Sequence, residues 1–171
     1  MSKDLFKPHN NDTKEFSLHG KGTFARVTSI HDGDTLTCII PLFDNFYKFN
    51  TRLDGIDTCE ILSDNPITKQ IAVQARNRLI DLVTRGMSLK IDKDLLNQRK
   101  FVQGLLDKDV YLIWIDCGNF DKYGRLLVKA KLDHDDTQTL SQILITENLA
   151  YSYQGGTKLT ESQQANKLTP L

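Results

Sequence analysis

Within the β-prone run 23–30, apolar Ala25 and Val27 alternate with polar Arg26 and Thr28, and a second such run, Leu36-Thr37-Cys38-Ile39-Ile40, follows. Between them His31-Asp32-Gly33-Asp34-Thr35 carries an Asp-Gly pair, a strong short-range hairpin signal. Residues 41–45 form another turn, and a third strand is predicted over Tyr47-Lys48-Phe49-Asn50-Thr51-Arg52-Leu53. After a loop at 57–65 the period changes: Ile67, Ile71, Ala75, Leu79, Leu82 and Val83 lie at helical spacing until Gly86. Ser63 or Asp64 is the expected cap of that helix, with Pro66 in its first turn, and Lys69, Arg76, Arg78 and Arg85 form its exposed face beside Asp81. Residues 87–108 mix apolar and basic positions without a clean period. Further strands are expected at 110–115 and 125–132, and Leu140, Ile143, Leu144 and Leu149 fit a second helix within 137–149.

These elements predict an α+β fold, a small closed barrel of short strands with packed helices. Residues 1–20 are polar and aperiodic and read as a flexible lead-in. A single domain is expected over 21–160, with a fraying polar tail at 161–171. The length of 171 residues suits one domain able to bury its own core.

Composition narrows the picture only a little. Hydrophobic residues make up 39% and charged residues 26%, as in an ordinary globular chain. The 22 Lys and Arg balance 22 Asp and Glu, so any polyanion site must be local rather than a basic surface. No apolar run approaches the roughly 20 residues of a membrane span. The start, MSKDLFKPHN, lacks a signal-peptide core, and three cysteines at wide spacing (Cys38, Cys59, Cys117) argue against a disulfide framework. An intracellular setting without a membrane is therefore expected.

Candidate chemistry lies in the turns. Asp34 sits at the first hairpin, and Asp57 and Glu60 follow the Arg52 strand; as carboxylates they offer hard oxygen to calcium or magnesium, or act simply as turn formers and surface charges. Arg52 lies inside a strand and Arg125 begins another. A strand arginine either pairs with a carboxylate or grips a phosphate through parallel hydrogen bonds. His31 beside the hairpin is a packing residue or a substrate contact. Tyr151 and Tyr153 lie on one face of an extended stretch, where they either stack on bases or cap the core.

Three segments, His31-Asp32-Gly33-Asp34-Thr35, Arg52-Leu53-Asp54-Gly55-Ile56-Asp57-Thr58-Cys59-Glu60 and Asp121-Lys122-Tyr123-Gly124-Arg125, resemble in order the signature segments of the staphylococcal nuclease (thermonuclease-like) family. Asn148-Leu149-Ala150-Tyr151-Ser152-Tyr153 is similar to that family's tyrosine-bearing segment, so the resemblance spans about 23–158. It implies a five-stranded barrel of the oligonucleotide-binding (OB) type. It also implies a calcium-dependent endonuclease that hydrolyses DNA and RNA, single strands preferred, to 3′-phosphate and 5′-hydroxyl ends, with no obligate protein partner. Carried over, Asp34, Asp57 and the Thr58 carbonyl hold calcium, Glu60 holds or deprotonates the water, and Arg52 and Arg125 bind the scissile phosphate. Lys122, Tyr123, Tyr151 and Tyr153 contact the nucleotide. Three departures stand out: Cys59 where the family commonly has Pro, a probable insertion at 87–108, and a shortened or absent last helix. The alternative is a noncatalytic barrel module that binds single-stranded nucleic acid or a protein; Asp34, Arg52, Asp57, Glu60 and Arg125 together speak against it.

Overall fold

The computed structural model describes residues 2–168. Strand β1 (Gly22–Ile30) turns through the Asp-Gly hairpin into β2 (Thr35–Leu42), and β2 pairs antiparallel with β3 (Asn45–Leu53). The β1–β2 register shifts between Val27 and Ser29, a bulge next to the hairpin end. β3 starts exposed and ends buried, at Thr51, Arg52 and Leu53. Those last residues run parallel to β6 (Leu126–Lys131), which pairs antiparallel with β5 (Leu112–Phe120), and β5 returns to β1. The result is a closed, mixed five-stranded barrel in the order β1-β2-β3-β6-β5, an α+β OB-like fold with helices packed around it. A separate two-stranded ribbon joins β4 (Ile56–Asp57) to β7 (Tyr151–Ser152).

The main core gathers Val27, Ile30, Leu36, Ile40, Leu53, Ile113, Ile115 and Leu126 from the barrel with Leu79, Ile80 and Val83 from α1 (Pro66–Val83). Each such side chain contributes about 1.5–3 kcal/mol by leaving water. Helix α1 is capped by Asn65, whose side chain accepts from the amides of Ile67 and Thr68, rather than by Ser63 or Asp64. Ser63 is used elsewhere, its hydroxyl bonded to Thr68.

The exposed face expected on α1 is also corrected, since Arg76 and Asp81 are buried and Arg78 is half-buried. Arg76 is buried; its Nε donates to the Ile30 carbonyl (3.3 Å) and its Nη1 to the Leu96 carbonyl (2.8 Å). Two carbonyl acceptors offset the desolvation that otherwise makes a buried charge costly.

Residues 87–108 are ordered around the helix end: a 3₁₀ turn at Met87–Lys90, then α2 (Lys93–Leu96) and α3 (Arg99–Lys108). Val102 and Leu106, four apart, bury one stripe of α3 in the main core. The single stripe is too short to give a clean period.

Both expected loose ends carry anchors. Leu18 enters the core, and the amide of Gly20 donates to the Cys117 carbonyl (2.8 Å). α4 (Leu140–Thr146) precedes β7, and α5 (Glu161–Lys167) follows it in the expected tail; each begins with a Thr–Gln capping box. Leu168 packs with Cys59, Ile71, Ala72 and Tyr151 in a second cluster. The part of the expected tail at 169–171 lies outside the described residues. All three cysteines are free and buried. Among the described residues no helix is long and apolar enough to cross a membrane.

Candidate active site

The first hairpin places Asp34 because Gly33 lets it sit tight against its neighbours. A Cβ on Gly33 would fall 2.7 Å from Cβ of Ala75 on α1 and 3.0 Å from Cγ2 of Thr58. Asp34 Oδ1 then accepts from the Thr35 hydroxyl (2.8 Å), and its Oδ2 accepts from the Thr58 amide (3.3 Å). The hairpin is thereby tied to the loop that carries Asp57, Thr58 and Glu60.

Arg52, at the buried end of β3, joins the two carboxylates. Its Nη1 lies 2.8 Å from Asp34 Oδ2, and its Nη2 lies 2.6 Å from Asp57 Oδ1 while also donating to the Ile56 carbonyl at 3.1 Å. Burial alone would draw the Arg52 guanidinium down; the charges of Asp34 and Asp57 reverse this and hold it above its ordinary range. For Asp34 burial wins, pushing its carboxyl up against the pull of Arg52 and Thr35.

Asp57 has no exposed surface. Behind it the phenol of Tyr151 donates to Oδ2. In front, Lys158 Nζ stands 2.9 Å from Asp57 Oδ1 and 3.0 Å from Glu60 Oε1. Burial opposes the charge on Lys158, but these two carboxylates outweigh it and raise the ammonium well above its usual value.

The second arginine arrives on the β5–β6 turn. Asp121 accepts from the Tyr123 and Arg125 amides through Oδ1 (both 2.9 Å) and from Arg125 Nε through Oδ2 (2.8 Å), which aims the Arg125 side chain. Lys122 and Arg125 both lie over the exposed Tyr123 ring, 5.0 and 5.5 Å from its centroid. Arg52, Lys122, Tyr123, Arg125, Tyr153 and Lys158 line one cleft of about 550 Å³.

No protein-family model matches the chain, and no curated protein matches it.

What the site can do rests on its own geometry. Of the expected residues, Arg52, Arg125, Lys122, Tyr123 and Tyr153 meet in the cleft, and Asp34, Asp57, Thr58 and Glu60 gather around Arg52 and Lys158. Tyr151 does not reach the cleft. The expected nucleotide contact is corrected to a core position: the ring is buried, its hydroxyl also accepts from the Leu159 amide (3.3 Å), and burial with the Asp57 bond pushes the phenol up to about 12. Tyr153 instead donates to the Gly156 carbonyl (2.8 Å) at the cleft rim. His31 is half-buried, with Nε2 2.8 Å from the Thr37 hydroxyl.

Among the described residues no group of three or more His, Cys, Asp or Glu forms a ready metal cluster. Asp34 and Asp57 nevertheless suit a hard divalent ion that keeps water in its shell. All their donors are oxygen, and both already hold a cation, since Arg52 pairs with each and Lys158 also pairs with Asp57. Lys158 and Asp121 carry no expected role in the sequence. The only signal for Lys158 is the preceding Gly155-Gly156 pair, which points to a turn or phosphate cradle and not to Asp57.

Proposed function

We propose that the chain is a calcium-dependent phosphodiesterase that hydrolyses DNA and RNA, single strands preferred, to 3′-phosphate and 5′-hydroxyl products. The observation that carries this reading is the meeting in one cleft of Arg52, which is paired with both Asp34 and Asp57, and Arg125, which Asp121 aims. Phosphoryl transfer needs positioning and neutralisation of the equatorial oxygens, and two planar forks do both. Tyr123 and Tyr153 at the rim offer faces for a base or sugar.

In this scheme Asp34, Asp57 and the Thr58 carbonyl hold calcium. When bound, the ion supplies positive charge to the phosphate and orients the nucleophile. Arg52 and Arg125 grip the scissile phosphate as charge builds on it. Glu60, whose side chain is 61% exposed, accepts the proton of the attacking water. The water oxygen bonds to phosphorus, the bond from phosphorus to the 5′-oxygen breaks, and that oxygen takes a proton from solvent water to become the 5′-hydroxyl.

The test is cleavage of single-stranded DNA, RNA and duplex DNA with calcium or with chelator, beside Glu60→Gln and Arg125→Ala. Calcium-dependent 3′-phosphate ends that fall ~10²–10³-fold in each variant support the reading. Retention of labelled single strand without cleavage under any metal overturns the enzyme and leaves a binding module.

A further inference from the structure

We infer that Lys158 is a tethered counter-cation that competes with the divalent ion for Asp57 and Glu60 and, once displaced, joins the cationic wall of the cleft. This rests on the calcium-site reading above and adds a residue and an exchange that the reading does not contain.

Two cations share the Asp57 carboxylate, and they are not equally held. Arg52 has a side chain only 9% exposed, is bonded to Asp34 and Asp57, and also donates to a main-chain carbonyl. The Lys158 side chain is 43% exposed, and among the described residues its ion pairs are with Asp57 and Glu60. An incoming ion therefore displaces Lys158, which regains water cheaply, and leaves Arg52 in place.

The chain around Lys158 suits that exchange. On one side β7 is paired with β4, and on the other Thr160 caps α5, so both ends of the strap are anchored. Between them Gly155 and Gly156 hold φ of +93° and +92°, and a Cβ at either would meet nothing within 4 Å. This glycine pair gives the strap a hinge over open space. Lys158, Gly155 and Gly156 already line the cleft beside Arg52 and Arg125, so a released ammonium lies within the phosphate site. Without the divalent ion Lys158 offsets the Asp57 and Glu60 charges, and with it the same charge is turned toward the polyanion.

The experiment is calorimetric titration of calcium alone into chelator-treated full-length protein, comparing wild type with Lys158→Met, Lys158→Gln, Lys158→Arg and the remote Lys69→Met. Two partly exposed ion pairs are worth about tenfold together. Lys158→Met and Lys158→Gln are expected to bind calcium about tenfold more tightly, with Lys158→Arg and Lys69→Met near wild type. In thermal unfolding, the two neutral variants melt below wild type without calcium and close that gap when saturated. Gln keeps a donor for both carboxylates, so it reports even where Met fails to fold. Calcium binding that is unchanged or weaker in the neutral variants overturns the competition while leaving the calcium site intact. No calcium heat in any of the proteins overturns the competition and the calcium site together.

Discussion

Tyr151 closes the back of the site by donating its phenol to Oδ2 of Asp57, a carboxylate with no exposed surface, across 94 residues of chain. The same hydroxyl accepts from the Leu159 amide, so one oxygen braces both the carboxylate and the strap that carries Lys158. Tyr151→Phe leaves a buried acceptor unmatched and is expected to cost about 1–3 kcal/mol in urea unfolding. The difference also depends on pH. The folded phenol is raised from its ordinary 10.0 to about 12, so the folded state holds this proton more tightly than the unfolded chain. That contribution is complete below pH 10.0 and is lost as pH climbs to about 12, so the gap between wild type and variant narrows over that window.

Arg52 and Arg125 separate in a stability assay although both are expected to be needed for cleavage. Removing Arg52 leaves Asp34, 4% exposed, without its ion pair and takes one of two cations from Asp57, 0% exposed, so Arg52→Ala is expected to lose about 3–5 kcal/mol. Arg125 is 26% exposed and faces Asp121 within its own turn, so Arg125→Ala is expected to cost under about 1 kcal/mol. Denaturant midpoints beside cleavage rates check this; an equal stability loss in both would refute the division.

Gly33→Ala tests the contact that seats Asp34. The added methyl meets Ala75 Cβ at 2.7 Å and Thr58 Cγ2 at 3.0 Å, so the hairpin must move off α1. Overpacking of this kind costs about 1–3 kcal/mol, and cleavage is expected to fall with it because Asp34 moves. Adding Ala75→Gly removes one of the two clashes and is expected to recover part of the melting temperature.

Leu106, fully buried on α3, tests whether residues 87–108 are a structural buttress. Leu106→Ala is expected to cost about 2–5 kcal/mol by opening a cavity against the barrel. With the site's own residues untouched, cleavage per folded molecule is expected to match wild type when measured well below the melting transition.

Period and turn chemistry alone determined β1, β2, β3 and α1, because alternation and helical spacing are local properties of a chain. The Asp-Gly hairpin with Asp34, and Arg52 five residues before Asp57, are legible for the same reason: these groups are neighbours in sequence or across one turn. Short elements escaped. The Val102–Leu106 stripe of α3, fixed by its burial, and the seven residues of α5, fixed at their start by the Thr160–Gln163 capping box, are too brief to establish a period. The cap of α1 passed to Asn65 because Ser63 was taken by Thr68, a competition between side chains that spacing does not rank. Only the tertiary structure decided the fate of the polar side chains whose partners lie far away. Arg76 is buried because carbonyls at Ile30 and Leu96 are there to accept from it. Tyr151 leaves the cleft because β7 pairs with β4 and turns its ring into the second cluster. Lys158 reaches Glu60 across 98 residues because the strap after β7 passes over the cleft. A side chain's charge and size are written in its own residue, whereas its solvation depends on which distant atoms the fold brings beside it.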